Sequence, residues 1–295
     1  MNIFPRLARS IRQTTATLTE AKRFGQPKSG YVIEPTAPRK NLLISIFAGS
    51  VLVLCCSFCC GQHVEAPPIS TDRPSVATGT DLVPVHSLQF ENGIGWIRDQ
   101  STNSVDGPET EVRFGLSHRV ELQAFLPNLH RSGAVLGVHF DDFSLGAKIR
   151  IGSEDRSWPV SIVGNLSFPT GSEELTSGGF DPTILVATGH NLPHNFQLSG
   201  SANLTSLSNN GQPRVVQSQL AVDLCWCANP KTCFFVEEAP FVSTAQNASG
   251  YTTDGTMTLR IARRVQLDGR VGTTIKDGDR AMFASVGYSF RLDHR

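Results

Sequence analysis

Phe143-Ser144-Leu145-Gly146-Ala147-Lys148-Ile149-Arg150-Ile151 is the stretch that decides the fold class. Phe143, Leu145, Ala147, Ile149 and Ile151 fall on every second position, and Ser144, Gly146, Lys148 and Arg150 fill the gaps. Successive side chains of a strand point to opposite faces. The stretch therefore reads as a strand with one apolar face and one polar, charged face.

The same period of two recurs on both sides of it. Leu88, Phe90, Ile94 and Trp96 alternate with Gln89, Glu91, Gly93 and Gly95. Phe196, Leu198, Ala202 and Leu204 alternate with Gln197, Ser199, Ser201 and Asn203, and Val216, Leu220, Val222, Leu224 and Trp226 face away from Gln217, Gln219 and Asp223. Val265, Leu267 and Val271 oppose Gln266, Asp268 and Arg270, and Met282, Ala284, Val286, Tyr288 and Phe290 oppose Ser285, Gly287, Ser289 and Arg291. Weaker alternation covers 110–117, 119–126, 158–168, 182–190, 232–242 and 254–262. This gives about twelve strands of roughly nine to twelve residues, close to what a tilted membrane strand needs.

The links between these strands take turns in length. Short ones fall at Ser117-His118, Gly152–Ser157, Asn191–Pro193, Ala228–Lys231 and Arg263-Arg264. Longer ones, rich in Gly, Ser and Asp, fall at 98–109, 127–141, 169–181, 207–212, 243–253 and 275–279. Strict alternation is the pattern of an up-and-down antiparallel barrel with tight periplasmic turns and longer external loops. An even number of strands puts both ends of the barrel on the periplasmic side. Trp96, Trp158, Trp226, Tyr288 and Phe290, near predicted strand ends, suit the aromatic girdles of such a barrel. A soluble periplasmic β-sandwich, as a binding or structural protein, shares the alternation and is the competing reading.

The head of the chain differs from its body. Residues 1–61 hold eight Lys/Arg and two Asp/Glu, which leaves eighteen basic and twenty-four acidic residues for the rest. An acidic body argues against a nucleic-acid partner. Leu42–Cys60 is one apolar run preceded by Arg39-Lys40, with small residues up to Gly61; it reads as an export signal cleaved before Gln62, with an uncleaved membrane anchor as the alternative, since the run approaches a bilayer-spanning length. The chain then divides into an N-terminal extension with signal peptide (1–61), a Pro/Thr-rich leader (62–85), a β-barrel (86–291) and a charged tail (292–295). Cys55, Cys56, Cys59 and Cys60 leave with the signal. Cys225, Cys227 and Cys233 stay, and an oxidising compartment allows a bridge, most simply Cys227 to Cys233. Three cysteines without a fourth ligand make a poor zinc site, and no metal is expected.

On the polar face, Glu121, Gln123, Lys148, Arg150, Asn165, Gln197, Asn203, Gln219, Asp223, Arg260, Asp268 and Arg270 are expected to line the lumen, where mixed charge sets field and selectivity. The leader, through Asp72 and Arg73, is placed to fold back as a plug and pair with that wall. Open pore and plugged barrel both fit a barrel of this size.

Some stretches also resemble a known family. Ser70-Thr71-Asp72-Arg73-Pro74-Ser75, followed by Val83-Pro84-Val85-His86-Ser87-Leu88-Gln89-Phe90-Glu91-Asn92-Gly93, resembles the opening of the outer-membrane transporter family named for the meta-pathway of phenol degradation. Gly115–Leu122, Asp142–Arg150, Leu166–Glu174 and Val286–Phe290 resemble its later strands, so the likeness covers 70–291. It implies a Gram-negative outer-membrane β-barrel that passes small solutes, hydrophobic or aromatic compounds among them. The partners it implies are outer-membrane lipid, the solute and the assembly machinery. The departure is at the C-terminus, where Leu292 and charged Asp293-His294-Arg295 follow the last aromatic residue.

The motifs of enzymes are not there to read: no nucleophile elbow, P-loop, His-Glu-x-x-His or dinucleotide fingerprint occurs. His139 with Asp141-Asp142 reads as a solvated loop. Glu173-Glu174 lies in an outer link, and Glu237-Glu238 straddles both faces of a strand. The expectation is a channel with no cofactor and no enzymatic activity, against the weaker alternative of a barrel-embedded lipid hydrolase.

Overall fold

The computed structural model describes residues 66–293, apart from 101, 134–136, 153–156 and 210–211. The export signal with its cleavage point, its four cysteines, residues 62–65 and His294-Arg295 lie outside the described residues.

Among the described residues, fifteen β segments form one antiparallel sheet that closes on itself. They are β1 (Leu88–Asp99), β2 (Thr102–Gly107), β3 (Glu111–Ser117), β4 (Val120–Phe125), β5 (Leu129–Ser132), β6 (His139–Phe140), β7 (Ser144–Ile151), β8 (Val160–Ser167), β9 (Asp181–Leu192), β10 (Phe196–Leu207), β11 (Val215–Asn229), β12 (Thr232–Ser243), β13 (Ser249–Ala262), β14 (Val265–Lys276) and β15 (Asp279–Leu292). Closure is made by β1 against β15, with Leu88 opposite Leu292 and Asp99 opposite Ala281. A closed ladder leaves no edge strand and satisfies every backbone pair internally, which is what lipid demands.

Twelve staves build the barrel, because three of them are interrupted. β1 pairs with β3 over Leu88–Glu91 and with β2 over Gly95–Asp99, so β2 and β3 are two parts of one stave. β4 and β5 form the next stave, and β6 and β7 the one after it. The link expected at 98–109 is therefore largely strand, and the one expected at 127–141 contains β5 and β6. Their Asp, Asn, Ser, Gly and Pro read locally as loop, but pairing with a neighbouring stave overrides a weak local preference. The interruption between β2 and β3 falls at Pro108, which has no N–H to give to a ladder. The link expected at 243–253 is also shorter, since β13 begins at Ser249. The strand on the C-terminal side includes Leu292, one residue beyond the expected barrel end.

The faces sort as the alternation requires. Val286, Val271 and Val236 are 64%, 63% and 62% exposed, and Ile94, Ile184, Leu220 and Val222 also point outward and are exposed. A continuous apolar belt of this kind is untenable in water and is what a bilayer-facing wall requires. Around the short-turn end sit stacked aromatic pairs: Phe90 on Phe290 at 4.9 Å, Trp226 beside Phe234 at 6.1 Å, and Trp158 on His190 at 4.6 Å.

Inside, the wall is polar. Among the described residues, the buried charged groups comprise twelve Asp or Glu and five Lys or Arg, so the interior is acidic. Unpaired charge cannot be buried cheaply, and the leader supplies part of the pairing.

Candidate functional site: a charged lumen crossed by the leader

Residues 66–85 enter at the short-turn end. The Ile69 N–H donates to the Arg263 carbonyl at 2.8 Å, and the Arg291 guanidinium donates to the Pro67 carbonyl at 2.6 Å. The segment then runs across the lumen and returns to the same end, where Val85 bridges Gly115 and the His86 N–H donates to the Gly115 carbonyl. Gly115 is required there. A Cβ on it would lie 2.2 Å from the Pro84 carbonyl oxygen and 2.4 Å from that of Val83, both backbone atoms that cannot step aside.

Three wall glutamates receive the leader backbone. Glu91 accepts from the N–H groups of Asp72 and Arg73, each at 3.0 Å. Glu237 accepts from Val76 at 2.9 Å and Ala77 at 3.0 Å, and Glu121 accepts from Val83 at 2.6 Å. These contacts answer the donors of a chain segment that has no strand partner of its own. Further links reach the remaining wall: Ser161 donates to the Thr80 carbonyl at 3.0 Å, the Thr78 N–H donates to Ser201 at 3.4 Å, and Gln266 donates to Thr71 at 2.7 Å. The leader thus touches β1, β4, β8, β10, β12 and β14, staves spread around the whole circumference. Its own Val76 and Ala77 pack against Ala221 and Ala239, inward-facing positions kept small.

Two ion clusters lock the arrangement. In the first, Arg113 is 1% exposed and reaches Glu91 at 2.8 Å, Glu121 at 2.8 Å and Asp72 at 3.5 Å. Lys148 donates to Asp72 at 2.5 Å. In the second, Arg270 pairs with Asp254 and, at 3.1 Å, with Glu237, while its guanidinium lies 4.9 Å from the Phe283 ring centre. Between them Arg73 pairs with Glu109 and lies 3.5 Å from Asp268, its guanidinium filling the space left by the missing side chain of Gly93.

Burial pushes the Asp72 carboxyl up, but Arg113 and Lys148 outweigh it and hold the group below the ordinary carboxylate range. A depressed value in the folded state adds stability that is complete above the ordinary carboxylate pKa of about 3.9 and is lost as pH falls through the lower folded value. Docking of the leader through Asp72 is therefore expected to survive at pH 4 to 5 and to fail only in stronger acid. Proteinase cleavage within 66–85, followed against pH with an acid-active enzyme, measures this.

The lumen residues expected from sequence take these positions. Glu121, Gln123, Lys148, Asn203, Gln219, Asp223, Asp268 and Arg270 are buried on the inward face. Gln123 donates to Glu121 at 3.0 Å, and Asn203 donates to Gln219 at 3.3 Å. Arg150, Asn165 and Arg260 are half-buried, and Gln197, opposite Cys225 near the short-turn end, is exposed. Asp72 and Arg73 meet the wall as described. Cys227 and Cys233 are bonded across β11 and β12, and the Sγ of buried Cys225 lies 3.8 Å from that of Cys227. Asp142 departs from the solvated-loop reading: it is 9% exposed and accepts from the N–H of Gly171 at 2.8 Å and of Ser177 at 3.4 Å. It pins the 169–181 link over the lumen.

Glu91, Glu109, Glu111, Arg113, Glu237 and Asp254 are missing from the lumen lining expected from sequence, although Glu91 falls on the polar face there. Their signal was available for most of them: an ionisable residue at a position whose parity faces inward, as in Glu91 beside Gln89 and Glu237 beside outward Glu238.

The model of the family described as "Putative MetA-pathway of phenol degradation" matches residues 71–292. The chain belongs to that family. The match begins inside the leader, so the family's span includes most of the segment that crosses the lumen. Among solved structures, the COG4313 outer membrane channel from Pseudomonas putida F1 superposes with a TM-score of 0.58 at 12% identity, over 72% of this chain and 98% of that one. The NanC porin superposes with a TM-score of 0.51 at 10% identity, over 69% of this chain and 100% of that one. At these identities the likeness is one of fold, and the fold is that of outer-membrane barrels. No curated protein matches the chain.

Proposed function

We propose that this family member is an outer-membrane channel for small solutes, without enzymatic activity, in which residues 66–85 act as a plug that narrows the lumen. The observation that carries the reading is the charged inner wall of a closed, lipid-compatible barrel, met on most staves by one internal segment. An open twelve-stave barrel has a cross-section about twice that of an eight-stave one, whose own side chains fill it. The leader occupies that extra space, which supports a restricted pathway and selectivity by charge. The solutes to which the family description points are small aromatic compounds, and the chain's relatives of like fold are channels. Lipid around the apolar belt and the assembly machinery at the closing strand are the remaining partners this reading requires.

Liposome swelling tests it. Folded protein, identified by heat-modifiable migration, is expected to admit solutes the size of small amino acids and single-ring compounds and to retain disaccharides. Liposomes that stay tight to every solute overturn the channel.

A further inference from the structure

Among the described residues, three short turns repeat one arrangement. Arg119, Lys231 and Arg264 each sit on a tight turn. The carbonyl of each accepts from the N–H of an arginine on the neighbouring stave: Arg150 at 2.9 Å, Arg260 at 2.8 Å and Arg291 at 2.9 Å. In each case the two cations stand opposite one another, one step beyond the last paired residues of β4 and β7, β12 and β13, and β14 and β15. Opposite residues of a sheet project from the same face. Arg150, Arg260 and Arg291 share the parity of Lys148, Thr258 and Ser289, which face inward, so the three pairs stand at the short-turn mouth of the lumen. Like charges directly opposite are unfavourable, and an anion between them relieves the repulsion.

One pair shows what answers them. Asp293 places Oδ2 2.6 Å from Arg264 Nε and Oδ1 2.5 Å from Arg291 Nε, so a single carboxylate spans both guanidinium groups. Arg150, in the pair with Arg119, is not free. The pair of Lys231 and Arg260 differs from both. Among the described residues no carboxylate bonds either side chain, and Arg260 Nε has no hydrogen-bond partner. The flanks are neutral. On β14 Arg260 faces Gln266, and the next step inward is Cys233, bonded to Cys227, opposite Thr258. Lys231 is exposed and Arg260 half-buried, so a solute reaches the pair from the mouth.

We propose that Lys231 and Arg260 form a binding site for the carboxylate of a small organic acid, held as Asp293 is held by Arg264 and Arg291. Resting on the channel reading for the solute's route, the site names one class of solute that pauses at this mouth. A carboxylate suits the pair better than a halide, because its two oxygens reach two donors, as they do in the Asp293 arrangement. The acidic wall does not cancel the site. On β14 the first inward carboxylate, Asp268, lies two positions deeper than Gln266 and is shared with Arg73. Beyond a Debye length of about 8 Å, exposed charges are largely screened at physiological salt. An open pair of this kind binds weakly, with a dissociation constant on the order of 1 mM, which suits a stopping point that must also release its solute.

Fluorine NMR on the full folded chain in uncharged detergent, at fixed low salt, tests the site with 4-fluorobenzoate and its neutral isostere 4-fluorobenzamide. The benzoate signal is expected to broaden saturably, with an affinity at least about tenfold above that of the benzamide, since charge-assisted hydrogen bonds separate the two. Lys231→Gln and Arg260→Gln are each expected to weaken 4-fluorobenzoate by about fivefold or more. Arg280→Gln removes the same charge from an exposed position at the long-link end and is expected to leave binding unchanged. Equal affinity for the two compounds overturns the proposal, and so does parental binding in either the Lys231 or the Arg260 variant. An equal loss in Arg280→Gln overturns it too, because net charge and not this pair would then attract the anion. Lys231 lies on an exposed turn, so its variant decides alone should Arg260→Gln give no heat-modifiable band. Binding does not depend on transport. Selective binding by a protein whose liposomes stay tight removes the channel and keeps the site; flux without selective binding does the reverse.

Discussion

Removal of residues 68–83 from the exported chain is expected to turn small, ill-defined currents into stable single-channel steps several-fold larger. The reason is geometric. Barrel diameter grows roughly in proportion to strand number, and eight strands already leave an interior that side chains fill. Twelve staves leave room beyond their own side chains, and residues 66–85 take it up, bonded to Glu91, Glu121 and Glu237 and packed on Ala221 and Ala239. The ladder from β1 round to β15 does not use the leader, so the barrel is expected to keep its heat-modifiable migration after the deletion. The deletion removes Asp72 together with Arg73, so the buried carboxylates still outnumber the buried Lys and Arg, eleven to four, and the enlarged current is expected to favour potassium over chloride. Planar-bilayer recording with a salt gradient reads both size and selectivity. A deletion protein that folds and conducts no more than the full chain shows that the leader does not limit the pathway.

Parity along the strands was enough to place Lys148, Asp223, Asp268 and Arg270 inside and Ile149, Leu224, Leu267 and Val271 outside. This holds because a slip of one residue would turn a whole strand inside out, so each stave repeats the message. The alternation of short and long links pointed to an up-and-down barrel, although the long links expected at 98–109 and 275–279 shrink to two residues each, between Asp99 and Thr102 and between Lys276 and Asp279. Two things were not legible. The Asp-Gly-Pro run at 106–108 hides a stave, since β2 is held by β1 and β5 and not by its own propensity. The anchoring roles of Glu91 and Glu237 are also hidden. Parity says that they face inward, but the leader that meets them lies 18 and about 160 positions away in sequence, and no local pattern encodes such a meeting. Glu111 shares the parity of Arg113, and only the assembled interior distinguishes a carboxylate that is answered from one that is not.

Arg113→Met is expected to give the largest loss of stability of any single substitution in the wall. The guanidinium joins four groups: Glu91 and Glu121 on two different staves, the leader's Asp72, and the Asp81 carbonyl at 3.0 Å. Methionine nearly fills the volume but leaves three buried carboxylates facing one another with Lys148 as the nearest remaining cation. Removing one member of a buried ion cluster typically costs about 3–5 kcal/mol, because the partners keep their desolvation penalty and lose its compensation. The cost can be relieved in one way without unfolding the barrel: the leader leaves, water enters, and Glu91 and Glu121 are solvated again. Arg113→Met is therefore expected to open residues 66–85 to proteinase K and to raise conductance toward that of the deletion, while the stave ladder keeps its heat-modifiable migration with a lower melting point. Arg113→Lys restores the charge but not the fork that serves Glu121 through two nitrogens, and is expected to fall between the two. A methionine variant whose leader stays as resistant to protease as the parent's would mean that the glutamate contacts to backbone N–H groups, and not the ion cluster, hold the segment in place.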